Sequence, residues 1–249
     1  MPIKDTLKDF IPPIVLKFKK SRSQSVASRV NIPVASGEET LAKKSATVKG
    51  IFMHIHKCAG TSLIDAFELA PEIICCAARP GNFPRRTGRE RIPDTLWKES
   101  LKFTFVRNPY DRVYSAYSMF MKYPRWQTLF PNFSDFVEFL RWSDTKNHAC
   151  YEEDEIETYV DKISNVIHHC SNYNNPKYLI EDMDFVGKVE SLEHDYRKLS
   201  ALLNCELPEL PRLNVGKRSG SYLAHYNNKQ RNIIYNIYKE DFDQFGYDK

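Results

Sequence analysis

Residues 51–63 read Ile-Phe-Met-His-Ile-His-Lys-Cys-Ala-Gly-Thr-Ser-Leu, and this stretch predicts a strand, a turn and a helix in succession. It starts inside a short apolar run, residues 48–55, whose length and β-branched side chains predict a buried strand. Residues 57–60 are expected to form a turn, and Thr61 or Ser62 supplies a suitable N-cap for a helix. That helix should bury one apolar face, whose members follow helical spacing: Leu63, Ala66, Phe67 and Ala70.

The N-terminus of this predicted helix is suited to bind an anion. The first N–H groups of a helix have no intrahelical partner and carry the positive end of its dipole, so they attract phosphate or sulfate. Lys57 adds a mobile charge, and Gly60 allows an anion to approach closely. Thr61 and Ser62 add hydroxyl donors. An ordinary strand–turn–helix unit with an N-cap is the alternative. The Walker A pattern is absent, which disfavours an ATP-type P-loop.

A second strand–turn–helix unit is predicted over residues 103–117, Phe-Thr-Phe-Val-Arg-Asn-Pro-Tyr-Asp-Arg-Val-Tyr-Ser-Ala-Tyr. Arg107 leaves the strand end, where its planar guanidinium can bind two oxygens of a phosphate. Asn108 and Pro109 then start a helix, as N-cap and first helical residue. Ser115 lies two turns into that helix and can donate a hydroxyl from the same side. The alternative is that Arg107 pairs with a carboxylate such as that of Asp111.

The rest of the chain alternates strands with helices, which predicts an α/β fold with a parallel sheet. We expect an N-terminal arm and linker over residues 1–47 and one domain over residues 48–249. The further elements are predicted as strands at 102–106 and 185–189 and helices at 133–142, after 189 through Leu202, and at 228–241.

The charge of the chain is concentrated near its N-terminus. The 249 residues carry a net charge of +4, while residues 1–30 hold seven lysines and arginines against two aspartates, a balance of +5. The remaining chain is therefore close to neutral. A nucleic-acid-coating protein would spread positive charge over a folded face, so we expect no nucleic-acid partner.

Residues 1–20 place apolar residues at mostly helical spacing with lysines between them, although Pro12 and Pro13 interrupt a helix. They suit either a basic arm at an anionic membrane surface or an arm that packs on the domain. No apolar run reaches the roughly 18 residues of a membrane span, and no secretory signal is recognised. We therefore expect a cytoplasmic protein, with peripheral contact to the inner face of the membrane as one option.

The six cysteines form no C-x-x-C pair and suggest reduced thiols rather than a disulfide framework. Ligands at regular zinc spacing are also missing, so no metal is expected.

Together the two units resemble the sulfotransferases that use 3′-phosphoadenosine 5′-phosphosulfate (PAPS), and most closely their carbohydrate branch of Golgi glycan and bacterial enzymes. The 5′-phosphosulfate loop of that family commonly reads H-I-P-K-T-A-G-T-S-L, and residues 54–63 read H-I-H-K-C-A-G-T-S-L. Its 3′-phosphate motif, F-V-R-N-P-Y-D-R-x-x-S-A-Y, is matched at every fixed position by residues 105–117. Weaker similarity continues in residues 185–190, 213–214 and 238–247.

The resemblance implies a single three-layer domain of the P-loop-NTPase-like sulfotransferase fold, with PAPS as donor and no metal. It implies that Lys57 is catalytic and contacts the oxygen that bridges phosphate and sulfate. His56 and Cys58 depart from the family pattern, which has proline and threonine there. The remaining nucleotide contacts are implied for Cys58, Ala59, Gly60, Thr61 and Ser62 at the 5′-phosphate, Arg107 and Ser115 at the 3′-phosphate, and Lys217 and Arg218 in a loop that closes over the nucleotide.

The implied reaction moves a sulfuryl group from PAPS to a hydroxyl of a carbohydrate or glycolipid acceptor. A nucleotide-binding module without transferase activity and a kinase-like phosphotransferase are the alternatives. The arginine-rich residues 79–91 suggest a site for an anionic or sugar-rich acceptor, or else a solvated surface loop. The general base is not placed by the sequence, and its candidates are His168, His169, Glu72 and Glu190.

Overall fold

The computed structural model describes residues 47–78, 80–83, 85–145, 166–211 and 221–249. The predictions for the N-terminal arm, for Arg79 and for Lys217 and Arg218 lie outside these ranges. The described residues form two compact units. We call residues 47–108 and 172–211 the sheet unit, and residues 109–145, 166–171 and 221–249 the helical unit.

The sheet unit is built on six strands in the order β3-β4-β2-β1-β5-β6. Its hydrogen-bonded pairs are parallel except for β3 and β4, so five strands form a central parallel sheet. The α/β class and the parallel sheet predicted from the sequence are thereby confirmed. The strands are β1 (Gly50–His54), β2 (Ile73–Ala77), β3 (Asn82–Phe83), β4 (Arg86–Gly88), β5 (Leu101–Val106) and β6 (Phe185–Lys188).

Eight α-helices with defined bounds occur among the described residues, and residues 166–170 are also helical. None of them is long and apolar enough to cross a membrane. The bounds are α1 (Gly60–Glu68), α2 (Asp94–Glu99), α3 (Pro109–Phe120), α4 (Pro124–Leu129), α5 (Phe133–Thr145), α6 (Leu192–Leu203), α7 (Asn228–Ile237) and α8 (Lys239–Phe245).

An aromatic core joins the sheet to α1 and α6 in the sheet unit. The Phe52 ring of β1 lies 5.1 Å from Phe67 of α1 and 5.6 Å from Phe103 of β5, measured between centroids. Tyr196 of α6 stacks on Phe67 from the other side of that ring cluster, at 5.9 Å. Burial of three phenylalanines contributes about 1.5–3 kcal/mol each, so this core fixes α1 against the strand that precedes it.

The helical unit packs its helices around a second core, which includes Trp126, Phe130 and Phe136. Buried hydroxyls tie it together: Tyr226 donates to the carbonyl of Tyr110 at 2.7 Å, and Tyr238 donates to the carbonyl of Cys170. Burial raises the pKa of both phenols well above the usual value, so they remain protonated donors.

Two predictions about local structure are wrong. α1 begins at Gly60, before the predicted caps Thr61 and Ser62, and its N-cap is Ala59 in the left-handed conformation. The last helix does not run unbroken over residues 228–241, because Tyr238 leaves helical geometry at φ −111°, ψ 23° and separates α7 from α8. At this break the buried Tyr238 hydroxyl donates to the carbonyl of Cys170.

The parallel sheet places the site. β1 and β5 are adjacent in the sheet centre, and the Thr104 hydroxyl donates to the Met53 carbonyl at 2.7 Å near their ends. Parallel strands end at the same edge, and ligands of such sheets bind beyond these carboxyl ends. The two loops singled out in the sequence, after His54 and after Val106, therefore leave neighbouring strands on one side.

Candidate functional site

The loop after β1 holds two residues other than glycine in a strained backbone conformation. Lys57 and Ala59 both have positive φ, 67° and 57°, in the left-handed region that side chains disfavour. Left-handed residues that alternate with right-handed ones gather successive N–H groups into a concave anion site. The loop is therefore shaped before any ligand binds.

α1 starts directly from this loop. Its first intrahelical bond runs from the Leu63 amide to the Ala59 carbonyl at 3.1 Å, so the amides of Gly60, Thr61 and Ser62 have no acceptor within the helix. Ala59 supplies no side-chain cap, and the first turn holds no acidic residue. A helix start of this kind favours an anion at the positive end of the dipole.

Gly60 faces the imidazole of His54, and a Cβ at this position would overlap the ring. The ring is fixed from the other side, because the Arg86 Nη1 lies 2.7 Å from His54 Nδ1. A guanidinium can only donate, so Nδ1 accepts and the ring proton sits on Nε2. The close packing of His54 gives a second reason for glycine here, besides the approach of an anion.

We expect Gly60→Ala to destabilise the protein by about 1–3 kcal/mol, the cost of overpacking a fixed neighbour. Helix propensity alone predicts the opposite sign, because alanine is favoured over glycine by about 1 kcal/mol. Ala59→Gly is the matched control: it relieves a left-handed residue and should leave stability equal or higher. Urea unfolding measures both, and a Gly60→Ala protein more stable than the wild type would contradict the packing of His54.

Most arginines of the predicted basic loop contact groups of the sheet unit. Arg85 pairs with the carboxylates of Asp65 and Glu68 on α1, which neutralises the acidic residues of that helix. Arg89 pairs with Asp94 at 2.6 Å and lies 4.4 Å over the Trp97 ring. These contacts, with Arg86 on His54, make the segment a structural edge of the sheet, while Arg91 is exposed.

Arg107 joins the second loop to the first. Its Nη1 donates to the Lys57 carbonyl at 3.2 Å, so a guanidinium and the left-handed loop are in contact within the sheet unit. The sequence predicted both loops separately, and the structure brings them together. An arginine here has a planar donor edge for oxyanions, and Lys57 and the α1 amides lie on the same side of the sheet.

The turn at Arg107 is held by two residues that the sequence did not single out for this role. The buried Tyr173 hydroxyl donates to the Arg107 carbonyl at 2.7 Å and accepts from the Arg107 amide at 2.9 Å. The next amide, of Asn108, donates to the Glu190 carboxylate at 2.6 Å. Glu190, a candidate base, thus acts as a cap just before α3. Tyr173 lies among polar residues in the sequence, and no local pattern indicates that its hydroxyl contacts the backbone of Arg107.

Ser115 lies in the second turn of α3, in the helical unit, and is half-buried. His168 and His169 are half-buried in the same unit, where the His169 ring packs edge-on against Phe120 at 5.5 Å. Glu72 belongs to the sheet unit, and its carbonyl accepts from the amides of Lys49 and Gly50. The role of the base stays a prediction for these residues.

The cysteines near the site are core residues. Cys58 is 1% exposed, and its Sγ lies 3.4 Å from the Tyr173 hydroxyl. On β2, burial raises the pKa of the Cys76 thiol to about 12, so it is protonated at neutral pH and is no nucleophile. Within the ranges that the structure describes, no three histidine, cysteine or acidic side chains gather as a metal site requires.

These features define an α/β protein in which two central parallel strands are each followed by a loop suited to bind an anion. Residues 45–248 match the model of the sulfotransferase family, and the chain belongs to that family. The match includes both loops and both units. No curated protein matches the chain significantly. The family's reaction is sulfuryl transfer, so the protein is a transferase.

Proposed function

We propose that the protein transfers a sulfuryl group from PAPS to a hydroxyl of a carbohydrate or glycolipid acceptor. The observation that carries the proposal is the 3.2 Å hydrogen bond from Arg107 to the Lys57 carbonyl. It joins a loop suited to a phosphosulfate to an arginine suited to a second phosphate. A donor with anionic groups at two positions fits this pair better than a ligand with one.

The residues present fit PAPS on two further counts. The left-handed residues Lys57 and Ala59 and the start of α1 form a cradle for a tetrahedral anion. A side chain at Gly60 would push His54 and thereby deform this cradle. The chain contributes positive charge at both ends of the pair, through Lys57 and Arg107.

When bound, PAPS would supply the sulfuryl group, which would pass to the acceptor oxygen as its bond to the 5′-phosphate oxygen breaks. The proton of the acceptor hydroxyl would go to a general base, for which the candidates are those predicted from the sequence. Lys57 neutralises the charge that builds on the departing phosphate oxygen. The amides of the loop and of α1, with the hydroxyls of Thr61 and Ser62, hold the 5′-phosphate in place. Arg107 holds the 3′-phosphate. The roles of Ser115, Lys217 and Arg218 at the nucleotide stay predictions from the resemblance.

Titration calorimetry with adenosine 3′,5′-bisphosphate and with ATP tests the donor. We expect the bisphosphate to bind at least about 100-fold more tightly, because ATP presents no 3′-phosphate to Arg107 and the α1 loop is no Walker A motif. Equal affinity for both nucleotides, or none for either, contradicts the proposal.

Transfer is tested separately, with ³⁵S-labelled PAPS and extracted pools of glycans, glycolipids and proteins. Label in the glycan or glycolipid pool is the expected result. Label in protein alone would contradict a carbohydrate or glycolipid acceptor and indicate a protein acceptor. Tight bisphosphate binding without label in any pool would make the chain a nucleotide-binding module. A cytoplasmic location and membrane contact through residues 1–20 stay predictions.

A further inference from the structure

Tyr173 takes the place of a sheet partner for Arg107. β5 pairs with β6 as far as Val106 and Lys188, so the backbone of the next residue leaves the sheet ladder. One phenol hydroxyl then satisfies both backbone groups of Arg107, donating at 2.7 Å and accepting at 2.9 Å. The tyrosine is 0% exposed, so water does not substitute for it. The direction in which Arg107 leaves the strand is fixed by this single oxygen.

The same hydroxyl also reaches the other loop. The Cys58 Sγ lies 3.4 Å away, and Cys58 stands between the left-handed residues Lys57 and Ala59. The hydroxyl proton goes to the Arg107 carbonyl, and the single thiol proton of Cys58 has two acceptors within reach, the Tyr173 oxygen and the His56 carbonyl at 3.6 Å. Tyr173 therefore contacts both loops, at the residue that would bind the 3′-phosphate and within the loop that would bind the 5′-phosphosulfate.

We infer that Tyr173 is a positioning residue for donor binding: its hydroxyl sets the place of Arg107 relative to the Lys57–Ala59 loop. The inference rests on the proposed function for the nature of the ligand. Tyr173 has no part in the chemical step and acts through Arg107, whose two backbone groups it holds. Its removal should therefore weaken recognition of the 3′-phosphate and leave the chemistry on bound donor almost unchanged.

Tyr173→Phe removes one oxygen and keeps the ring. We expect the dissociation constant for adenosine 3′,5′-bisphosphate to rise about tenfold, because two buried backbone groups lose their partner. The affinity for 5′-AMP, which lacks the 3′-phosphate, should change less than twofold. Tyr196→Phe is the matched control: its hydroxyl donates to the Pro208 carbonyl at 2.8 Å in the same unit, and its loss should leave both affinities unchanged.

A double-mutant cycle separates positioning from general damage. If Tyr173 acts through the Arg107 side chain, Tyr173→Phe combined with Arg107→Ala should bind the bisphosphate within twofold of Arg107→Ala alone. If the affinity losses of the two single variants multiply in the double variant, the inference is overturned. Wild-type affinity of Tyr173→Phe for the bisphosphate would also overturn it. Equal weakening of 5′-AMP and bisphosphate binding would also overturn it, since that outcome indicates a merely structural residue.

Amide hydrogen exchange of the wild-type protein provides a test without ligand, which also serves if Tyr173→Phe does not fold. The Arg107 amide should exchange as slowly as the β5 amides, although it lies beyond the strand end. Rapid exchange there would contradict the role of Tyr173. Slow exchange in a protein that binds no bisphosphate would support the loop geometry and contradict the proposed function alone.

Discussion

A Lys57→Met protein should transfer sulfate from PAPS about 10²- to 10³-fold more slowly than the wild type at saturating donor, the loss typical of removing one transition-state donor. Its affinity for adenosine 3′,5′-bisphosphate should fall much less, because the α1 amides and Arg107 remain. The left-handed backbone at Lys57 is no harder for methionine than for lysine. Incorporation of ³⁵S into the glycan pool, with calorimetric binding beside it, measures the two effects.

Lys49→Met is the matched control for loss of a lysine in the same unit. The Lys49 Nζ donates to the Asn204 carbonyl at 2.7 Å, at an exposed position outside both loops, so the transfer rate should not change. A Lys57→Met rate within threefold of wild type would remove Lys57 from the chemical step. A loss of donor affinity with an unchanged rate at saturating donor would instead assign it to uniform binding of the donor.

The second large effect is expected for Arg107→Ala, which should weaken adenosine 3′,5′-bisphosphate binding by about 1.5–3 kcal/mol, the range for hydrogen bonds to charged groups. The preference of the protein for the bisphosphate over 5′-AMP should largely disappear. This change in preference is the informative measurement, because it compares two ligands on the same variant and cancels general loss of stability. Titration calorimetry with both nucleotides gives it directly.

Arg89→Ala is the control for Arg107→Ala. Arg89 is engaged with Asp94 and stacks over Trp97, so its loss should leave nucleotide preference unchanged. The carboxyl of Asp94 has a pKa lowered by the hydrogen bond from Arg89, but it is exposed, so the pair contributes little to stability. An Arg107→Ala protein that still prefers the bisphosphate would show that the 3′-phosphate is bound elsewhere.

The strands and helices that carry the two loops could be predicted from the sequence, because each combines an apolar pattern with a clear turn. β1, β5 and β6 were predicted, as were α1, α3, α5 and α6, with ends that coincide or are shifted by up to three residues. β2 was not predicted, although its residues Ile-Ile-Cys-Cys-Ala form a fully buried run, because periodicity alone does not identify so short an apolar run as a strand. β3 and β4 lie among arginines, and strands of two and three residues have no readable alternation.

The conformation of the two loops could not be predicted from the sequence, for a different reason. Positive φ is normally announced by glycine or asparagine, whereas here lysine and alanine adopt it at residues 57 and 59. Tyr173 lies 66 residues from Arg107, and Arg86 lies 32 residues from His54. Single side-chain contacts over such separations depend on the folded topology, and no local pattern encodes them.

The adjacency of β1 and β5 has a consequence for how proteins of this architecture can diverge. Their parallel register, in which Ile51 is opposite Lys102, is set by backbone hydrogen bonds. Neighbouring strands lie about 4.8 Å apart whatever side chains they carry. The distance between the two loops is thus set by the strand spacing, and side-chain substitutions do not change it. Substitutions can change the charges and contacts of the two loops. Only an insertion or deletion within the strands would change the distance between the loops, and with it the distance between the two anionic groups that they can bind.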